Sequence, residues 1–436
     1  MKGRLNNLQV LDLINKRRRG EKLTTAEITL ITKAIVAKEM TTAQIGAFLD
    51  TFSYHDMATT AELTDLTMAL AYSGGIYDLS DLPGIKVAPL STDGLGDKTS
   101  LVLLPLVASL GVPILQVVTP LAEEMTSPLT RLATVPQLRT KLAADEFVTT
   151  LKQVNAVAAA PVAELAPLQQ QLAQLELETG TTEVPALLTS RLMSLAIAAG
   201  ADALVVDIKT GNNCLTLKQA QQVAELAVAV GAEVGRRTLA VISDLNQPVG
   251  DAIGASWEIR EVIATLKGGG PADLRELALS LGAQLAVLGG YLGTVADARE
   301  ALSANLANGQ ALAKLHEWIV AQGGDARIVE QPDLLATAAY TATARAPRSG
   351  YIAAWDMAQL SQLRQLLGAT AGVGFVLNKK IGDSVEAGET LATVYSAAAD
   401  IQPVLKLAQQ AATIADKAPE HRLLYDVIDS ALEQTD

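Results

Sequence analysis

Apolar and polar positions alternate with a helical period through roughly the first 75 residues. Three of these runs open alike: Thr24-Thr25-Ala26-Glu27, Thr41-Thr42-Ala43-Gln44 and Thr59-Thr60-Ala61-Glu62. A threonine three residues ahead of Glu or Gln predicts reciprocal N-terminal capping. A starter helix is expected at about 7–18, with three more behind the caps. Lys16-Arg17-Arg18-Arg19 would close the first helix as a solvated basic end, favourable to its dipole.

Residues 73–84 are rich in Gly, Ser and Asp and read as a linker. A strand is expected at Ile85–Ala88, followed by a polar loop, Pro89 to Ser100, and an apolar stretch, Leu101–Val118. Pro105, Gly111 and Pro113 interrupt that stretch, so it predicts a buried helix to about Leu110, a turn and a strand, rather than a membrane span. From residue 200, short β-rich runs at Ala203–Ile208 and Leu239–Ser243 alternate with helices at Leu217–Gly235, Glu258–Leu266 and Pro271–Leu281. Strands alternating with helices imply a parallel sheet with crossover helices. Residues 162–198 lack strand signals and are expected to rejoin the first helical segment. Beyond 335, short strands at Arg348–Ile352 and Gly374–Leu377 and turn residues bounding Gly382–Leu391 predict a small α+β domain. The Gly382–Leu391 pattern is similar to biotinyl and lipoyl carrier hairpins, but no lysine sits at a suitable tip, so a structural hairpin is expected. The expected organisation is α/β and multidomain. A helical domain is built from 1–75 and 162–198, an α/β domain from 80–160 and 200–335, and an α+β domain from 340–436.

Composition narrows the function. A chain of 436 residues exceeds one ordinary core. It is 49% hydrophobic and only 3% aromatic, which suits helices packed on a parallel sheet. A net charge of -13 argues against a general nucleic-acid surface. Cys214 is the only cysteine, so no intrachain disulfide or thiolate zinc cluster is expected, and a reducing cytoplasm fits. His55, His316 and His421 show no metal-ligand spacing and read as structural or surface residues. The N-terminus shows no signal-peptide pattern.

The chemistry concentrates in the loop Pro89-Leu90-Ser91-Thr92-Asp93-Gly94-Leu95-Gly96-Asp97-Lys98-Thr99-Ser100. Backbone N–H groups around Gly94 and Gly96, the hydroxyls of Ser91, Thr92, Thr99 and Ser100, and a helix start form an expected phosphate cradle. Two residues oppose that role: Pro89 removes an N–H and Asp93 adds a negative charge.

Taken in order, several segments resemble the pyrimidine-nucleoside phosphorylases and thymidine phosphorylases over nearly the whole chain. They are Asp12-Leu13-Ile14 with the basic run, Leu66-Thr67-Met68-Ala69, Gly84-Ile85-Lys86-Val87, Gly94 to Ser100, Gly200 to Val205, Asp207-Ile208-Lys209, Asp244 to Pro248 and Gly268 to Leu274. The resemblance implies an anthranilate phosphoribosyltransferase-like fold and a homodimer joined through the helical domain. It also implies phosphorolysis of a pyrimidine nucleoside to free base and pentose 1-phosphate. Such a reaction needs several donors on phosphate, cationic and hydroxyl groups on the departing base, and a cleft that brings the reactants together.

Position by position, most of the implied groups are replaced. The family loop opens Lys-His-Ser-Thr-Gly-Gly, whereas here Pro89 and Leu90 stand for the lysine and histidine, and Asp93 for a glycine. Ser91 and Ser100 still match phosphate-contacting serines. The family's next Gly-rich segment corresponds to Gln116–Pro128, where Glu123 and Glu124 appear. Counting back from Gly200 puts the base-binding lysine at Leu195, the serine at Arg191 and the arginine at Glu176. Anchoring on Pro185 instead gives Ser190 for the serine and Leu175 for the arginine. Val249, Ala252 and Glu261 match the family's monovalent-cation site, with a plain helix-surface role for Glu261 as the alternative. No other cofactor is expected.

At about 4 Å and an effective dielectric near 20, a like-charge contact between Asp93 and phosphate costs on the order of 4 kcal/mol. Three readings follow. The first is a family member that has lost phosphorolysis and binds a nucleoside, base or sugar phosphate, or serves as a partner subunit. The second is an altered pentosyltransferase or hydrolase using Asp93, Glu123, Glu124 and Glu176. The third is a working phosphorylase in which Lys98, Arg131 and Arg191 supply the missing charge.

Overall fold

The computed structural model describes residues 7–53, 59–119, 127–291 and 293–429. The chain opens with helices Asn7–Arg18, Thr25–Val36, Thr42–Asp50 and Thr60–Ala71. Thr24 and Thr41 form the expected reciprocal boxes with Glu27 and Gln44. Thr59 also accepts from the Glu62 backbone N–H, but the Glu62 carboxylate does not return the bond. It turns inward, accepting from the Leu23 N–H at 3.0 Å and pairing with Arg17 at 3.4 Å. The expectation of a fully solvated basic run is therefore corrected: Arg17 is buried, and its guanidinium lies 4.6 Å from the Phe52 ring centroid. Its neighbours Lys16 and Arg19 remain surface groups, each paired with a glutamate.

A six-stranded sheet follows. Its parallel strands, in spatial order, are Arg237–Asp244, Ala203–Thr210, Val87–Ser91, Ile114–Val117 and Ala156–Ala159. Successive residues point to opposite faces and both faces are covered, which explains the unbroken apolar runs. Ala88, Leu115, Val157, Leu204, Val206 and Ile242 pack with the helical bundle, including helices Pro167–Thr179 and Pro185–Ala198. Val87, Ile114, Ala156, Val205 and Val241 pack on the other face with helix Thr99–Ala108, all ten of whose residues are buried, and with helix Ala272–Leu288.

Two strand expectations change. The strand expected at Ile85–Ala88 runs over Val87–Ser91, so the first half of the polar loop is sheet. Pro89 is tolerated because Val87 N–H, on the same side of the strand, points toward Pro113 O, and pairing with Ile114–Val117 stops at Val87. The expected hairpin at Gly382–Leu391 is two strands in different sheets. Ser384–Val385 pairs with Gly350–Trp355, while Thr390–Ser396 pairs with Tyr340–Arg345 and Gly374–Leu377. The α+β domain is tied back by Ala252–Ile253, which pairs with Gly374–Leu377, and by Trp257 stacked on Tyr395 at 3.7 Å. Strand Leu424–Asp429 leaves that domain altogether and joins the main sheet antiparallel, beside Arg237–Asp244. There His421 bonds the Asp244 carboxylate at 2.9 Å, a structural role, while His316 is exposed.

Candidate functional site

In open α/β sheets, ligands sit at the carboxyl ends of strands where the strand order reverses. Here that point lies between Val87–Ser91 and Ala203–Thr210, and a two-lobed cleft opens there. Thr92, Asp93, Leu188 and Arg191 line both lobes and form its waist.

The smaller lobe, about 110 Å³, has apolar walls that include Leu90, Val117, Leu192 and Leu195. Its polar lining comes from Ser91, Thr92, Asp93, Gln116, Thr119, Gln169 and Arg191. Thr119 Oγ1 donates to Gln169 Oε1 at 3.0 Å, whereas Gln116 Oε1 is buried with no partner. Arg191 Nη1 lies 3.2 Å from Glu176 Oε2, and Nη2 donates to Thr182 O at 3.2 Å. Burial pushes the Glu176 carboxyl up to about 7, only partly offset by Arg191.

The larger lobe, about 250 Å³, is lined by Gly94, Lys209, Asn212, Asn213 and Cys214, and by Met357 and Ser361 from the α+β domain. Lys209 lies near the end of a fully buried strand. Its ammonium donates to Asp207 at 2.6 Å and Ser243 at 3.2 Å and lies 3.6 Å from Asp97. Burial disfavours its charge, but Asp207 and Asp97 outweigh that and raise its pKa. Burial likewise opposes the Asp97 charge, yet Lys209 and the Thr99 donors hold its carboxyl down to about 2. Burial, with Asp97 nearby, raises the Asp207 carboxyl. Burial lifts the Cys214 thiol to about 11, so it is no nucleophile at neutral pH.

The expected phosphate cradle is largely satisfied from within. Ser91 Oγ donates to Asp97 at 2.9 Å, and Thr99 Oγ1 and N–H donate to the other Asp97 oxygen at 2.7 and 3.1 Å. The helix start thus already holds a carboxylate. Thr92 Oγ1 accepts from the Lys209 N–H, and Asp93 N–H donates to Ser91 Oγ, both at 2.9 Å. The cavity bounded by Ser91, Asp97, Thr99 and Ser100 holds only about 10 Å³, room for one water at most. Gly94 and Gly96 serve packing: a Cβ on Gly94 would collide with Leu245 Cδ2, and one on Gly96 would meet Pro248 at 2.8 Å.

Comparison with known proteins settles the ancestry. Residues 11–74 match the glycosyl transferase family helical bundle domain, and residues 351–415 match the pyrimidine nucleoside phosphorylase C-terminal domain. The chain is 37% identical over 432 residues to pyrimidine-nucleoside phosphorylases of Staphylococcus aureus strains MSSA476 and USA300, covering 97% of this chain and 100% of each relative. It belongs to the pyrimidine-nucleoside phosphorylase family. The crystal structure of anthranilate phosphoribosyltransferase from Thermus thermophilus shares the fold, with TM-score 0.59, 15% identity, and coverage of 72% of this chain and 100% of that one.

Leu90 and Leu195, for which the resemblance implies a histidine and a lysine, both line the small lobe. Arg191, which the gap-free count puts at the serine position, lines both lobes. Ser190 instead accepts from Thr67 Oγ1 at 3.0 Å within the bundle. Glu176 is buried behind Arg191 and does not line either lobe. Of the cations expected to replace lost charge, only Arg191 reaches the cleft. Lys98 and Arg131 are fully buried and paired with Glu261 and Glu258. Glu123 and Glu124 lie outside the described residues. Sequence reasoning missed Gln116, Gln169 and Lys209 as cleft residues. Gln116 and the Asp207/Lys209 pair stand out as polar positions inside apolar strands, which was the available signal. Among the described residues, no cluster of three metal-ligating side chains occurs.

Proposed function

We propose that this pyrimidine-nucleoside phosphorylase relative has lost phosphorolysis and binds an uncharged nucleoside or free base in the cleft. The observation carrying this reading is the lining of the cleft: Asp93 stands at its waist, and Leu90 and Leu195 line the small lobe where the resemblance implies a histidine and a lysine. Lys209 is matched by Asp207, and Arg191 lies against Glu176, whose raised carboxyl offsets its charge only in part. An arriving dianion would meet the like charge of Asp93 at the waist, while the aliphatic walls of the small lobe suit a flat neutral ring. A leaving anionic base would also lack the histidine and lysine whose places Leu90 and Leu195 take.

The test is uridine and thymidine phosphorolysis beside the Staphylococcus aureus relative. Losing several transition-state donors predicts rates lower by at least about 10³-fold. A rate within about tenfold of the relative would overturn the reading. Asp93, at the waist of both lobes, favours one second reading, a phosphate-independent hydrolase. Base release without phosphate, abolished in Asp93→Ala, would support it, and no release across a nucleoside panel would remove it.

The same reading includes a cytoplasmic homodimer joined through the helical domain. Leu11, Leu30, Val36 and Tyr72 are large apolar side chains left exposed on that segment, which supports a covered face there. Sedimentation at micromolar concentration should give twice the chain mass.

A further inference from the structure

The resemblance implied a monovalent cation held by Val249, Ala252 and Glu261. The residues present do not fit one. Lys98, at the start of helix Thr99–Ala108, extends its side chain into that position. Its ammonium donates to Ala252 O at 2.8 Å and forms an ion pair with Glu261 Oε2. The other Glu261 oxygen accepts from the N–H groups of Asp251 and Ala252 at 2.9 and 3.0 Å. Gly250 lies close against the pair. A Cβ built on Gly250 would collide with Glu261 Oε2 and lie 2.9 Å from the ammonium. The neighbouring carbonyls are used too: Lys380 Nζ donates to Pro248 O and Gly250 O, both at 2.6 Å, and to Asp273 at 2.8 Å.

We infer that the Lys98 ammonium is a built-in replacement for a monovalent metal ion, so that this chain folds and holds its 248–252 loop without potassium. An ammonium carries the same charge as potassium and is of similar size, and it takes two of the three implied ligands, Ala252 O and Glu261 Oε2. A metal ion sharing those oxygens would sit against a like charge with no water between. The tether also removes the binding equilibrium. A bound ion stabilises a fold to a degree set by its concentration over its dissociation constant, whereas a covalently attached cation is always present. The loop it fixes runs from Pro248, which packs on Gly96, to the strand Ala252–Ile253 that ties on the α+β domain. Lys98 thereby links the start of a core helix to the joint between two domains.

Thermal unfolding of the full chain in KCl, NaCl and choline chloride at equal ionic strength tests this without any activity readout. The wild type should melt within about 1 °C in all three salts. Lys98→Thr strips the ammonium and reopens the oxygen set. It should lose on the order of 5 °C in choline chloride and regain part of that loss saturably in KCl. Two outcomes would overturn the inference: a potassium-specific rise in the wild-type melting temperature, or Lys98→Thr equally destabilised in all three salts. Should Lys98→Thr fail to fold, elemental analysis of dialysed wild type decides. One potassium per chain overturns the inference, and none above background supports it. Either result stands apart from the phosphorolysis assay.

Discussion

Glu176 and Asp93 show how single carboxylates reshape the cleft. Glu176 is buried beside Arg191 with a carboxyl raised to about 7, against about 4.3 for an unfolded chain. Between those values the folded state holds the extra proton. Its contribution is fully present below the unfolded value and is lost as pH rises through about 7. Glu176→Gln should therefore flatten the fall in stability between about pH 5 and pH 8, as read by urea unfolding. Asp93 sits in the left-handed region, at φ 55°, where the resemblance implies a glycine. Asp93→Gly removes both the backbone cost and the like charge. Recovering even a third of the estimated repulsion should tighten phosphate binding by about tenfold. Adding Pro89→Lys and Leu90→His should strengthen it further, with calorimetric titration as the measure.

Among the elements, the helical bundle shows what local patterning reveals and what it hides. The capping threonines, the buried run after Thr99 and the strand Gly374–Leu377 were readable because each depends on residues within a turn or two. The fate of Glu62 was not, since its partners Leu23 and Arg17 lie some 40 residues away in sequence. The same holds for Gly382–Leu391, where turn residues correctly marked two strands but their partners are distant. In the cleft, the losses at Leu90 and Leu195 were legible from the motif. That Arg191 rather than Ser190 faces the cleft follows from helix rotation, which a one-residue shift in alignment obscures. Glu62→Ala would strand the Arg17 guanidinium in the bundle and should cost about 3–5 kcal/mol. Thr41→Ala removes only a cap and should cost about 1 kcal/mol. Both are measurable by urea unfolding.

At the scale of the whole molecule, the return of Leu424–Asp429 to the main sheet makes the three-part division incomplete. This strand covers the edge of Arg237–Asp244, and His421 and Tyr425 both bond Asp244. Removing everything from residue 421 onward would bare five ladder positions on a long, largely apolar strand. The truncated chain should melt at a lower temperature and scatter more light on standing than the full chain, and equal behaviour would show the edge needs no cover.

That final strand also sets a timetable for synthesis. The edge it covers is complete at Asp244, yet its partner is translated about 180 residues later. At about 5–20 residues per second, a ribosome leaves this edge open for on the order of ten seconds or more. For that interval, the ladder groups of Arg237–Asp244 are open to pairing with neighbouring copies.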